Sequence, residues 1–195
     1  MKTCPYCAEQ IPDEAIFCPA CGVDMRRPED CGCAPTKRDP LAISIGGKPF
    51  IQILSEPARG GLLANADLSN ADLMGMDLSG ISLTDANVTC SDLSMADLSQ
   101  SRLARSDLCR ANLADANLTN ARWSSCNLRQ ANLRRASLVG AVLEDLDLSG
   151  ADLGKANLLN ATLTNITYDD FTLWPENIDA DKAGARMGWK RLETY

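Results

Sequence analysis

From Leu63 to Leu163 the chain places an apolar side chain at every fifth residue, Leu at all but Val88 and Trp123. Two residues before each stands a small or apolar residue, usually Ala, with Ser91, Ser101, Ser106, Cys126, Met76, Ile81 and Leu146 as the main substitutes. Asp or Asn fills most of the positions in between. The register holds for twenty-one consecutive units, and Tyr168 and Leu173 extend it less cleanly.

Neither common element tolerates that period. An α-helix turns roughly 100° per residue, so residues five apart lie about 140° around the cylinder and bury nothing together. A flat strand alternates its faces, and an odd period sends successive leucines to opposite sides. Only a path that turns a corner within each unit keeps every leucine on one side. Each pentad is therefore predicted as a short extended segment plus a bend. The residue two before the leucine shares its face, which accounts for its small apolar character. The Asp or Asn between them points outward. A chain that keeps turning one way winds into a solenoid with leucine ladders inside.

The pattern A-(D/N)-L-x-x, as in ADLSN, ANLAD, ANLTN and ADLGK, resembles that of the pentapeptide-repeat family, and the resemblance covers residues 61–173. It implies an all-β fold, a right-handed quadrilateral β-helix with four pentads per coil, so that residues 20 apart stack. Between five and six coils are then expected, a rod about 25 Å tall at strand spacing. Open solenoid ends expose apolar interior and unpaired backbone, so both need covers. LAISIGGKPFIQIL, with two β-like runs around Gly46 and Gly47, is read as an N-terminal cap over residues 41–60. Beyond Pro175 the repeat ends; Asp179 is placed to N-cap a short helix through Trp189, making residues 174–195 a helical C-terminal cap. Ala183, Met187 and Trp189 are its expected contacts with the last coil.

Four of the nine cysteines form CPYCAEQIPDEAIFCPACG, the spacing C-x2-C-x10-C-x2-C. Two such knuckles satisfy tetrahedral zinc with four thiolates, which makes Cys4, Cys7, Cys18 and Cys21 the candidate ligands of one structural Zn2+. The segment resembles a short zinc ribbon over residues 1–24. Ile11, Ile16 and Phe17 are too few for a core, so metal must supply most of this module's stability. A thioredoxin-like redox dithiol is the weaker reading, since no βαβ pattern accompanies the motif. Residues 25–40, rich in charge and proline, read as a linker, and Cys31 and Cys33 within it as free thiols. Cys126 occupies an inward small-residue position; Cys90 and Cys109 fall at corners. A reducing compartment disfavours disulfides for any of them.

Aromatic residues make up 5% of the chain, consistent with many equivalent small layers in place of one irregular core. The formal charge of −7 makes the rod a poor nucleic-acid binder, a role left open for the ribbon. No run is long and apolar enough to span a membrane, and MKTCPYC lacks the apolar core of a signal peptide, so a cytoplasmic protein is expected. Calcium-binding β-rolls need Gly-rich nonapeptides, which are missing, and no phosphate loop or nucleophile motif occurs. No enzyme activity is expected.

Charge is banded along the rod. Residues 61–100 carry six Asp and no Lys or Arg. Residues 101–140 carry seven Arg against Asp107 and Asp115, and residues 141–165 turn acidic again. Twenty-residue stacking sets Arg105 over Asp85 and Arg135 over Asp115, as structural pairs. Arg102 and Arg122 stand where the family pattern prefers Asp or Asn, between Ser82 and Val142 in their column, and are the candidate partner-binding residues. Trp123 overfills a leucine position and is expected to distort its coil or turn partly outward, the alternative being compensation by its small neighbour Ala121. These features suggest a non-enzymatic interaction protein with a protein partner. The alternative implied by the family is a DNA mimic that regulates DNA gyrase, for which an acidic surface and a homodimer would speak.

Overall fold

The computed structural model describes residues 1–3, 10–13, 38–45, 48–50, 63–176, 178–180 and 182–188. At the N-terminus β1 (Lys2–Thr3) pairs antiparallel with β2 (Gln10–Ile11). A 3-10 turn over Pro40–Ala42 follows the linker, and the Asp39 carboxylate caps it by accepting the Leu41 N–H at 2.8 Å. Next come β3 (Ser44–Ile45) and β4 (Lys48–Pro49), an antiparallel pair formed by the two β-like runs. Ile43 and Phe50 flank this hairpin and are buried in the core cluster with Leu63. Arg38 bridges Ala71 in parallel, its N–H donating to Asn70 O and its carbonyl accepting from Asp72 N–H. The segment before the repeat thus covers the first coil.

Within the repeat, four backbone columns step by 20 residues. One runs Asp67–Asn87–Asp107–Asn127–Asp147–Thr167, a second from Asp72 to Asp152, a third from Asp77 to Asn157 and a fourth from Ser82 to Thr162. Leu68 N–H donates to Asn87 O at 2.7 Å and Asn87 N–H to Ala66 O at 2.9 Å, so each coil is zipped to the next. The leucines fill the interior at 0–3% exposure from Leu63 through Leu153, with the alanines two residues earlier beside them. Pentads therefore share one continuous core, as the period demanded.

The outward Asp and Asn have two jobs. Each accepts the backbone N–H two residues on, as in Asp77 Oδ1 with Ser79 at 3.0 Å and Asn117 Oδ1 with Thr119 at 3.1 Å. Such Asx turns bend the chain toward its corner. Four of the Asn also donate to the coil before them: Asn112 to Asp92, Asn117 to Asp97, Asn127 to Asp107 and Asn132 to Asn112, all at 3.0–3.1 Å. The fourth column has Ser, Arg, Arg, Val and Thr in place of Asp or Asn. There the chain stays straight and forms a parallel sheet of β5 (Arg102–Ala104), β6 (Arg122–Ser124), β7 (Val142–Glu144) and β8 (Thr162–Thr164).

Three expectations need correction. Trp123 does not turn outward: it is 2% exposed, in register between Leu103 and Leu143, and its indole N–H donates to Ser101 Oγ at 3.0 Å. Ser101 and Ala121, both fully buried, leave the volume the ring takes.

The predicted C-terminal helix does not form among the described residues. Asp179 does cap a turn, accepting the Lys182 N–H at 3.3 Å, but β9 (Ile166–Tyr168) then receives β10 (Ala185–Met187) as a parallel neighbour. Gly184 ends the turn at φ +93, and a Cβ there would lie 2.6 Å from Leu163 O. Helix is poorly favoured across Gly184, while the edge of β9 offers unpaired backbone. The last coil is thus closed by a strand, with Ala185 buried beneath it. Trp189 lies outside the described residues.

Leu173 also leaves the inward register. It bridges Asp152, 21 residues earlier, and is 41% exposed. The extra residue is absorbed between Asp169 and Thr172. There the buried Asp169 accepts from Gly150 and Phe171 N–H at 2.8 and 3.0 Å, and Thr172 Oγ1 donates to Leu148 O at 3.0 Å. Trp174 packs against the core instead, its ring perpendicular to that of Tyr168 with centroids 5.7 Å apart.

Candidate interaction face

Each of the belt arginines is positioned by the coil it stands on, and the partners differ. Arg105 donates through Nε and Nη2 to both oxygens of Asp85, each at 2.7 Å. Arg135 grips Asp115 in the same way, at 2.7 and 2.6 Å. These are the two pairs that 20-residue stacking predicts. In both, the hydrogen bond from the guanidinium holds the carboxyl below the usual carboxylate range and raises the arginine. Both pairs are exposed and act mainly to order the corners.

Three further arginines are engaged in ways the sequence reading missed. Arg129 reaches Asp147 at 3.3 Å and Arg134 reaches the buried Asp152 at 3.0 Å, each across 18 residues. The signal was present: residue x after a leucine lies diagonally beside the outward residue of the next coil, an offset of one coil minus two. Gly154 makes room for the second pair, since a Cβ there would meet Asp152 Oδ1 at 2.9 Å and Arg134 Nη1 at 3.3 Å. Arg110 is 1% exposed, and its Nε donates to Gln130 Oε1 at 2.8 Å.

Arg102 and Arg122 remain. Their Cα atoms are register partners on β5 and β6, both side chains are exposed, and neither meets a carboxylate among the described residues. With Gly80, Gln100 and Asn120 they line an open groove of about 450 Å³ on the outward side of the sheet. Around them on the sheet stand Ser82, Thr84, Ala104, Ser124 and Val142; the exposed Glu144, register partner of Ser124, lies diagonally from Arg122, and no ion pair joins the two. Two like charges at strand spacing, about 4.8 Å, are held together by the coil stack and not by each other.

The candidate zinc ligands Cys4, Cys7, Cys18 and Cys21 lie outside the described residues, as do Cys31 and Cys33. β1 and β2, which pair antiparallel, flank Cys4 and Cys7 in the sequence. Cys90 and Cys109 are each disulfide-bonded, contrary to the expectation of reduced thiols. They are neighbours on adjacent coils, the Cys90 N–H donating to Cys109 O at 3.0 Å. Cys126 is free and packs inward as expected; burial pushes its thiol up.

Comparison with known proteins agrees with this architecture. The family described as pentapeptide repeats matches residues 62–100, 91–122 and 126–165 in eight copies, and a zinc-ribbon domain matches residues 3–22. Among solved structures, a pentapeptide repeat protein from Nostoc PCC 7120, alr5209, is 30% identical over 62% of this chain and 84% of that one, with a TM-score of 0.41. QnrB1, a plasmid-mediated fluoroquinolone resistance protein, is 23% identical over 50% of this chain and 57% of that one, with a TM-score of 0.44. HetL, involved in heterocyst differentiation regulation in Nostoc sp. strain PCC 7120, is 28% identical over 57% and 56%, with a TM-score of 0.35. No curated protein sequence matches the chain. With repeats matched across more than half of its length, the chain belongs to the pentapeptide-repeat family and carries an N-terminal zinc-ribbon domain.

Proposed function

We propose that the chain is a non-enzymatic interaction protein whose rod docks a protein partner on the outward side of the β5–β8 sheet. One observation carries the reading. Arg102 and Arg122 break the Asp/Asn pattern at adjacent levels of one face, and that face forms the four-stranded sheet of the rod among the described residues. Five of the seven belt arginines are spent on the rod itself. These two are directed at solvent. The zinc ribbon is a second recognition module, with Cys4, Cys7, Cys18 and Cys21 holding one structural Zn2+. The metal would supply the cross-link that so small a module cannot obtain from a core.

Capture by the immobilised full chain, compared with R102N/R122N, tests the docking face. Both substitutions restore the repeat consensus, so the rod should fold unchanged. Partners that bind the wild type should be lost from the double variant, and partners retained at the same salt sensitivity would refute the face. DNA gyrase is the occupant that an acidic, DNA-like surface would suit. The arginine belt interrupts that surface, and supercoiling by gyrase should be unaffected by the protein.

A further inference from the structure

We propose that the groove beside Arg102 and Arg122 takes an extended acidic protein segment lying along the coil stack. The inference rests on the reading that this face is where a partner docks, and it adds the chemistry of what docks there. Gln100 and Asn120 stand two residues before the two arginines, at the corner bordering the sheet, and both are exposed. Each of two successive coils therefore presents one carboxamide and one guanidinium. Gly140 keeps the upper rung in place: a Cβ there would lie 2.6 Å from Asn120 Oδ1, so its absence lets the carboxamide lie over the corner. Gly80 leaves the lower end open, with nothing within 4 Å of where its Cβ would stand.

This two-rung ladder has the donors and acceptors an extended acidic chain needs. A guanidinium takes a carboxylate bidentately, through two parallel N–H···O bonds. A carboxamide offers both a donor and an acceptor, which suits the N–H and C=O of a peptide backbone. Side chains on one face of a strand recur about every 6.6 Å, and the long arms of two arginines rooted about 4.8 Å apart span that distance. The surrounding charge argues against a nucleic acid. The belt is flanked by residues 61–100 with six Asp and by residues 141–165 with Glu144, Asp145, Asp147 and Asp152. A polyphosphate backbone, with a charge every few ångströms, would run into both acidic bands. An extended acidic peptide turns alternate carboxylates away from the rod and needs only two on its near side, about 6.6 Å apart, to meet the two arginines.

The test uses the full chain and a fluorescein-labelled hexaglutamate followed by anisotropy. Wild type should bind it, R102N/R122N should bind at least about tenfold more weakly for the loss of two charge-assisted contacts, and R105N/R135N should stay within about twofold. Equal thermal melts of the three proteins exclude a folding artefact. The proposal is overturned if hexaglutamate binds R102N/R122N as it binds wild type, if it does not bind wild type, or if a labelled single-stranded oligonucleotide binds more tightly at the same salt. Should hexaglutamate fail while partner capture still depends on the two arginines, the docking face stands and the acidic-strand chemistry falls. If neither depends on them, the face itself falls.

Discussion

Replacing Trp123 by Leu would restore the repeat consensus, and it should nevertheless destabilise the rod. The indole is 2% exposed and its N–H is bonded to Ser101 Oγ at 3.0 Å, with Ser101 itself fully buried. The space around the ring is already used: beside Trp123, Leu128, Leu143 and Leu148 the leftover void is about 10 Å³. Leu is smaller than Trp by about 60 Å³, which at roughly 24 cal/mol per Å³ of unrelaxed cavity costs about 1.5 kcal/mol. The buried Ser101 hydroxyl also loses its partner, at about 1 kcal/mol or more. The expected total is about 2–4 kcal/mol, less any collapse of the coil around the gap. S101A/W123L removes both halves of the hydrogen bond and should recover about 1 kcal/mol relative to W123L. Urea denaturation followed by far-UV circular dichroism reads these differences. If W123L is as stable as wild type, the ring is not the packed, hydrogen-bonded element described.

Other consequences follow from single contacts. Gly184→Ala combines φ +93 with a Cβ 2.6 Å from Leu163 O, so it should release β10 and raise hydrogen exchange at Ile166–Tyr168; unchanged exchange there would contradict the strand cap. Gly80→Asn should be nearly neutral in thermal melts, because the site is open and Asn65, Asn70, Asn120 and Asn160 already adopt the same left-handed conformation at other corners. Asp85 and Asp115 have folded values below their unfolded ones, so what they contribute is present above about pH 4 and is lost as pH falls through the lowered values. NMR titration should show both below the ordinary range, and R105N or R135N should return its own partner upward. Metal analysis should find about one zinc per chain, and chelation should unfold residues 1–24 while the rod's circular dichroism persists.

The rod was legible because its period is a geometric statement. Five residues per side and 20 per coil fix which side chains stack, and that is enough to pair Arg105 with Asp85 and Arg135 with Asp115 from the sequence alone. Straight-column reasoning is blind to diagonals, so Arg129–Asp147 and Arg134–Asp152 escaped it. The buried pose of Trp123 is hard to read from the sequence because its hydrogen-bond partner, Ser101, sits in a position that looks like generic small filler. The C-terminal error came from local signals: Asp179 does cap a turn, but Gly184 and the waiting edge of β9 outweigh helix propensity. Leu173 left the register through one inserted residue, whose accommodation by Asp169 and Thr172 no periodicity can announce. Arg102 and Arg122 were visible as departures from the repeat; that their face is a straight sheet, and that the other arginines are spent, needed the structure.

The most direct test of the docking face is site-specific photo-crosslinking in the full chain. A photoreactive residue at Ser124, on the sheet beside Arg122, is compared with one at Asn87 and one at Asn157 on two other faces, each against the captured partner. The account predicts cross-links from position 124 that vanish in the R102N/R122N background, and none above background from 87 or 157. Cross-links of equal yield from all three positions, or from 124 irrespective of the two arginines, would contradict it.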